Sequence, residues 1–184
     1  DQFHGKALSV SWEALGVGQK VAQAGGGVLT ALVFGHGVDP VVKEALSRGA
    51  SKVITCDDPT MADFRLESYV AVLDKLVQDH KPSVVIGGAS TRGRELLAAA
   101  AADANAGLLS DITDLHTETD GTLKGTRPVF AGKVLSTATL GAGGTQFVTI
   151  RSRAFTPAEP QSSTNSTDIT SVQPVLAEDQ IATK

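Results

Sequence analysis

Short apolar runs alternate with amphipathic stretches through residues 11–103 of this 184-residue chain, and that alternation limits its folding more than any other feature. Residues 11–24 carry Trp12, Leu15, Val17 and Val21 among polar neighbours, an amphipathic helix stopped by Gly25-Gly26-Gly27. Residues 28–34 are a continuous apolar run, the pattern of a strand buried on both faces. Asp39-Pro40 opens a second helix, with Val41, Val42, Ala45 and Leu46 on one face and Gly49 at its end. Residues 52–56 form a short strand. Phe64, Leu66, Val70, Leu73, Leu76 and Val77 then recur with the best helical spacing in the chain, up to Pro82. Residues 83–86 predict another buried strand, 87–92 a loop, and 93–103 a helix rich in Ala and Leu. Strands separated by whole helices need crossover connections, so the sheet is expected to be parallel and right-handed in its crossovers.

Beyond Gly107 the pattern changes to three Thr- and Val-rich strands, 123–130, 133–140 and 145–151. Gly141-Ala142-Gly143-Gly144 between the last two reads as a hairpin turn. The body, residues 1–155, is therefore expected to be a doubly wound α/β layer with an antiparallel addition. Residues 156–184 differ in composition: nine Ser/Thr, three of the seven prolines and no aromatic. That segment reads as a linker, with enough apolar residues in 169–181 for one short strand or docking arm. Asn165-Ser166-Thr167 matches the glycosylation triplet by coincidence of composition.

The function classes narrow by exclusion. A net charge of −4 and 4% aromatic residues argue against a nucleic-acid partner. The longest low-polarity stretch, 96–102, falls far below the ~18 residues of a membrane span. A single cysteine, Cys56, leaves no internal disulfide to form. His4, His36, His80 and His116 have no paired ligand spacing. Cys56 is expected to fill core space, Gly35-His36-Gly37 to turn the chain, and Ser110-Asp111-Ile112-Thr113-Asp114 to serve in turns and caps.

One loop has the residue types for ligand chemistry: Gly87-Gly88-Ala89-Ser90-Thr91-Arg92-Gly93-Arg94-Glu95. It joins a strand to a helix, where backbone N–H groups and the helix dipole attract anions. Gly88, Ser90, Thr91 and Arg94 are the candidate anion-binding or interface residues. The spacing approaches a P-loop, yet Arg94 replaces its lysine and Glu95 the hydroxyl that holds magnesium. Arg92 likewise stands where a nucleophile elbow around Ser90 needs its second glycine. The simplest expectation gives the glycines to a tight turn and pairs Arg94 with Glu95 or with a partner surface.

Four blocks in order carry a more specific likeness: residues 87–96, the run Gly107-Leu108-Leu109-Ser110-Asp111-Ile112-Thr113-Asp114-Leu115, the run Thr126-Arg127-Pro128-Val129-Phe130-Ala131-Gly132-Lys133, and Val148-Thr149-Ile150-Arg151 with Phe155. The chain resembles the N-terminal domain of the electron transfer flavoprotein alpha subunit over about residues 5–155. The resemblance implies a Rossmann-like three-layer parallel sheet of the adenine nucleotide alpha hydrolase-like kind. It implies an alpha–beta heterodimer in the bacterial cytoplasm or mitochondrial matrix, with AMP in the beta subunit. Electrons would come from acyl-CoA or related dehydrogenases, as in fatty acid beta-oxidation, and pass to a quinone oxidoreductase or another acceptor. FAD would sit mainly in a C-terminal domain to which residues 156–184 lead. No catalytic, metal or FAD-binding residue is then expected in these 184, which read as part of a longer subunit. The alternative is a stand-alone adenine-nucleotide-binding domain of related fold.

Overall fold

A computed structural model describes residues 1–3, 5–141, 143–161 and 168–183. The chain opens with the two-residue strands β1 (Gln2–Phe3) and β2 (Lys6–Ala7), which pair with each other, and continues into helix α1 (Ser9–Gly25). Four crossover elements follow: β3 (Thr30–Gly35), α2 (Asp39–Ser47), β4 (Lys52–Asp57) and α3 (Leu66–His80). Then come β5 (Val84–Gly88), α4 (Thr91–Asp103) and β6 (Leu108–Ile112). An antiparallel arm is formed by β7 (Asp114–Thr117), β8 (Leu123–Val129) and β9 (Val134–Thr139). β10 (Gln146–Ile150) and β11 (Ile169–Ser171) complete the set.

The parallel strands fall into two half-sheets, β11-β4-β3 and β5-β10-β6. Their side chains alternate cleanly between two helical layers. Phe34, Ile54, Cys56 and Phe147 pack toward α3 and α4. Val33 and Val53 pack toward α1 and α2, and Val148 and Ile150 toward α1. The arrangement is three layers, helix–sheet–helix, with the arm beyond the β6 edge. No described helix is long and apolar enough to cross a membrane.

Three expectations are corrected here. The glycine run at 141–144 does not turn a hairpin (Ala142 lies outside the described residues). The arm's second turn is Phe130–Lys133 between β8 and β9, while β10 leaves the arm and inserts between β5 and β6. The reason is burial: all five residues of β10 are buried, so it needs neighbours on both edges and both faces. Of the run 110–114, expected to serve in turns and caps, residues 110–112 fall in β6, because Leu109 and Ile112 point into the core. The runs at 28–34 and 83–86 supply most of β3 and the start of β5, but neither is buried on both faces. Val28 is 75% exposed and Leu32 39%, and β5 is half-buried along most of its length. Each forms the open edge of its half-sheet, and between them lies a cavity of about 790 Å3.

Several of the described residues beyond 155 lie against the body. Ala158 and Ile181 are buried, β11 pairs in parallel with β4, and Glu178 accepts from the two terminal guanidinium nitrogens of Arg65, Nη1 at 2.8 Å and Nη2 at 2.7 Å. The triplet 165–167 lies outside the described residues.

Candidate functional site

The loop singled out above sits at the carboxyl end of β5, where open α/β sheets take their ligands. Gly88 ends the strand, Ser90 caps the helix, Thr91 begins α4, and Arg94 is exposed in its first turn. Ser90 Oγ accepts the Gly93 N–H at 3.0 Å, closing the turn as an N-cap should. Its hydroxyl donates to Asp1 Oδ2 at 2.6 Å. The positive end of α4 therefore already faces a carboxylate of the same chain. Gly93 is required for space, since a Cβ there would collide with the Gly88 carbonyl oxygen. Arg92 lies over the rings of Phe3 and Phe64, at 5.5 and 5.7 Å, and ties the opening residues to the approach of α3.

These contacts answer the two near-motifs. Ser90 is engaged with a backbone amide and a carboxylate and with no histidine among the described residues, so the serine–histidine pair of a nucleophile elbow is not formed. A phosphate at the helix end would meet the Asp1 charge on the capping hydroxyl.

Beside the loop lies a second polar cluster. Asp111 sits in β6 with φ +57°, a left-handed conformation uncommon for a residue with a side chain. Its N–H donates to Thr149 Oγ1 at 2.9 Å, and its carboxylate accepts two hydrogen bonds from Arg151, at 2.6 and 3.2 Å. Those bonds hold the Asp111 carboxyl below the usual carboxylate range, with the charges of Arg94 and Arg127 adding to the effect. Arginines from α4, β8 and the end of β10 thus gather around one carboxylate. The compensation expected for Arg94 comes in part from Asp111, a residue remote in sequence.

The remaining candidates serve the fold. Asp57 accepts the N–H groups of Gly37 (2.8 Å) and Val38 (3.0 Å), fixing the turn into α2, with His36 at 3.4 Å. His116 pairs with Asp114 at 2.8 Å on the exposed arm, and His80 ends α3. His4 lies outside the described residues. Among the described residues no group of three or more His, Cys, Asp or Glu is placed to hold a metal ion. Cys56 is fully buried; burial, then the charges of Asp58 and Asp57, push its thiol up to about 11. It carries little thiolate at neutral pH and packs as a small apolar side chain.

Sequence reasoning missed Glu13. It is buried on the inner face of α1, and its carboxylate accepts the backbone N–H of Arg153 at 3.1 Å and of Phe155 at 3.4 Å. The signal was present: Glu13 falls on the apolar stripe, three residues after Val10 and four before Val17.

Comparison with known proteins agrees with the motif blocks. Residues 2–176 match the family described as the electron transfer flavoprotein domain. Protein FixB of Azorhizobium caulinodans is 34% identical over 188 residues, covering 100% of this chain and 50% of that protein. Electron transfer flavoprotein subunit alpha of Clostridium acetobutylicum is 35% identical over 156 residues, covering 84% of this chain and 46% of that protein. The acryloyl-CoA reductase electron transfer subunit beta of Anaerotignum propionicum is 31% identical over 160 residues, covering 74% and 44%. The chain spans about half the length of the curated relatives it matches. With that coverage, and with the ordered blocks placed on β5–α4, β6–β7, β8 and β10, the chain belongs to the electron transfer flavoprotein family.

Proposed function

We propose that these residues are the scaffold part of an electron transfer flavoprotein alpha subunit, and that the whole protein carries electrons on FAD. In this reading FAD is held by a further C-terminal domain, and residues 156–184 lead toward it. A beta subunit carrying AMP docks against the scaffold. The two subunits take electrons from acyl-CoA or related dehydrogenases and deliver them to a quinone oxidoreductase or another acceptor. The doubly wound layer belongs to the adenine nucleotide alpha hydrolase-like class but has lost the nucleotide: Gly88, Ser90, Thr91 and Arg94 build a helix start and a charged surface. The match to the flavoprotein family over residues 2–176 carries this reading. The Asp1 carboxylate on Ser90 supports a scaffold over a nucleotide site of its own.

The test has two arms. The full-length subunit purified with its partner should be yellow, and its flavin absorbance should bleach when an acyl-CoA dehydrogenase and its substrate are added. Residues 1–184 alone, titrated with FAD, should leave flavin fluorescence unchanged at micromolar concentrations. Stoichiometric binding in that second titration overturns the scaffold assignment.

A further inference from the structure

The outer half of the β8–β9 hairpin packs apolar side chains against nothing in the described chain. Residues 130–135 are exposed without interruption, with Phe130 at 79%, Leu135 at 69% and Val134 at 50%. Strand register sets Val134 beside Val129 and Leu135 beside Pro128, on opposite faces of the hairpin. The end is therefore apolar on both faces and at its tip. A flat contact would cover one face only, so such an end is shaped to enter a cleft.

The tip is also held in one shape. Phe130, Ala131 and Gly132 take φ values of +51°, +55° and +84°, a left-handed run in which only the glycine meets no steric cost. The turn is closed by the Gly132 N–H on the Val129 carbonyl at 3.1 Å and the Lys133 N–H on the Phe130 carbonyl at 3.2 Å. Backbone held against its preference clusters at contact sites.

Charge and size say what kind of contact this is. Residues 121–158 contain five Lys and Arg and no Asp or Glu, in a chain whose net charge is −4. Two of the five, Arg127 and Lys133, collar the apolar end. Arg127 donates to the Ser110 carbonyl at 3.1 Å and stands with Arg94 near Asp111, whose carboxylate Arg151 already holds. Asp114, opposite Thr126 in register, pairs with His116. The end of the hairpin thus carries surplus positive charge. Its three apolar side chains can cover on the order of a few hundred Å2. Permanent subunit interfaces take roughly 2,000 Å2 or more, whereas redox encounters stay below ~1,200 Å2.

We propose that residues 127–135 form a prong that docks the electron-accepting protein, entering an apolar cleft on it whose mouth carries carboxylates. This deepens the electron-carrier reading given above and rests on it. The cations steer the encounter, and the small apolar contact lets the partner leave after the electron has passed. The rigid turn favours the acceptor over the donors: a fixed shape suits one partner, whereas several different dehydrogenases call for an adaptable surface.

The test uses the full-length subunit with its partner, reduced by an acyl-CoA dehydrogenase and its substrate, with the quinone oxidoreductase of the same organism as acceptor. Two variants are compared with the wild type: Lys133→Glu, and Phe130→Asn, which suits the left-handed turn. Each is expected to raise the KM for the oxidoreductase about tenfold or more at unchanged kcat. Reduction of the flavin by the dehydrogenase should stay as in the wild type. Added salt should raise the wild-type KM and affect Lys133→Glu less. A photoreactive leucine analogue at Leu135 should crosslink to the oxidoreductase. An unchanged KM in either variant overturns the proposal. So does a variant that loses flavin or the partner subunit, or a crosslink to that subunit, to a second copy or to lipid. A wild type that passes no electrons to the oxidoreductase overturns this proposal and the electron-carrier reading together; wild-type transfer with an unchanged KM in the variants overturns this proposal alone.

Discussion

Buried polar side chains in this protein act on backbone groups, and Glu13 shows the consequence best. Its carboxylate satisfies two N–H groups in the turn after β10, where Arg153 adopts φ +66°. Replacing it by alanine removes the acceptor of two part-buried donors, at a cost of about 1–3 kcal/mol. Glu13→Ala is expected to lower the unfolding free energy read from urea titration by that amount at unchanged slope, and Glu13→Gln, which keeps one acceptor oxygen, by less. At this scale the sequence was partly legible. Gly88, Ser90 and Gly93 could be recognised as a helix start. That Asp1 would sit on Ser90 could not be seen, because 89 residues separate them and only the folded chain brings them together. The same holds for Asp111 and the arginines around it.

Element types were largely readable from period and punctuation; element partners were not. A buried run such as 146–150 demands neighbours on both sides without saying which, so a glycine-rich connection before it looked like a hairpin. Helices α3 and α4 add a detail invisible to periodicity. They pack side by side, and Asp74 of α3 meets Asp103 of α4. Burial, then the shared hydrogen bond and the negative charge of Asp103, raise the Asp74 carboxyl from 3.8 to about 6. A carboxyl whose folded value is raised binds its proton more tightly in the native state. Its contribution is complete below about pH 4 and is lost as pH rises through 6. Asp74→Asn, which removes the repulsion, is therefore expected to stabilise the protein at pH 7.5 and to make little difference at pH 4. Denaturant midpoints of both proteins at the two pH values check this. A gain equal at both pH values would mean that the helices simply prefer asparagine.

At the scale of the whole molecule, the residues expected to form a linker also close one edge of the sheet. β11 covers β4, the Val53 N–H reaches the Asp168 carbonyl at 2.9 Å, and Ile181 is buried. Truncation after Gln161 should lower the thermal midpoint, the loss of Ile181 burial alone being worth about 2 kcal/mol. A truncated protein melting at the original temperature would show that these contacts contribute nothing. The position of β10 has a consequence in time. β5 and β6 are neighbours along the chain but touch only through β10, whose Gln146 pairs with Val84 across 62 residues. During synthesis both strands leave the ribosome with open edges, and they stay open until the antiparallel arm has been made and β10 has emerged. Pairing of such long sequence separation is slow, and exposed edges are where growing chains associate wrongly. The time spent making residues 113–145 is therefore a window in which the edges of β5 and β6 are open to wrong association, and slowing translation there is expected to put more of the protein in the pellet than slowing it elsewhere.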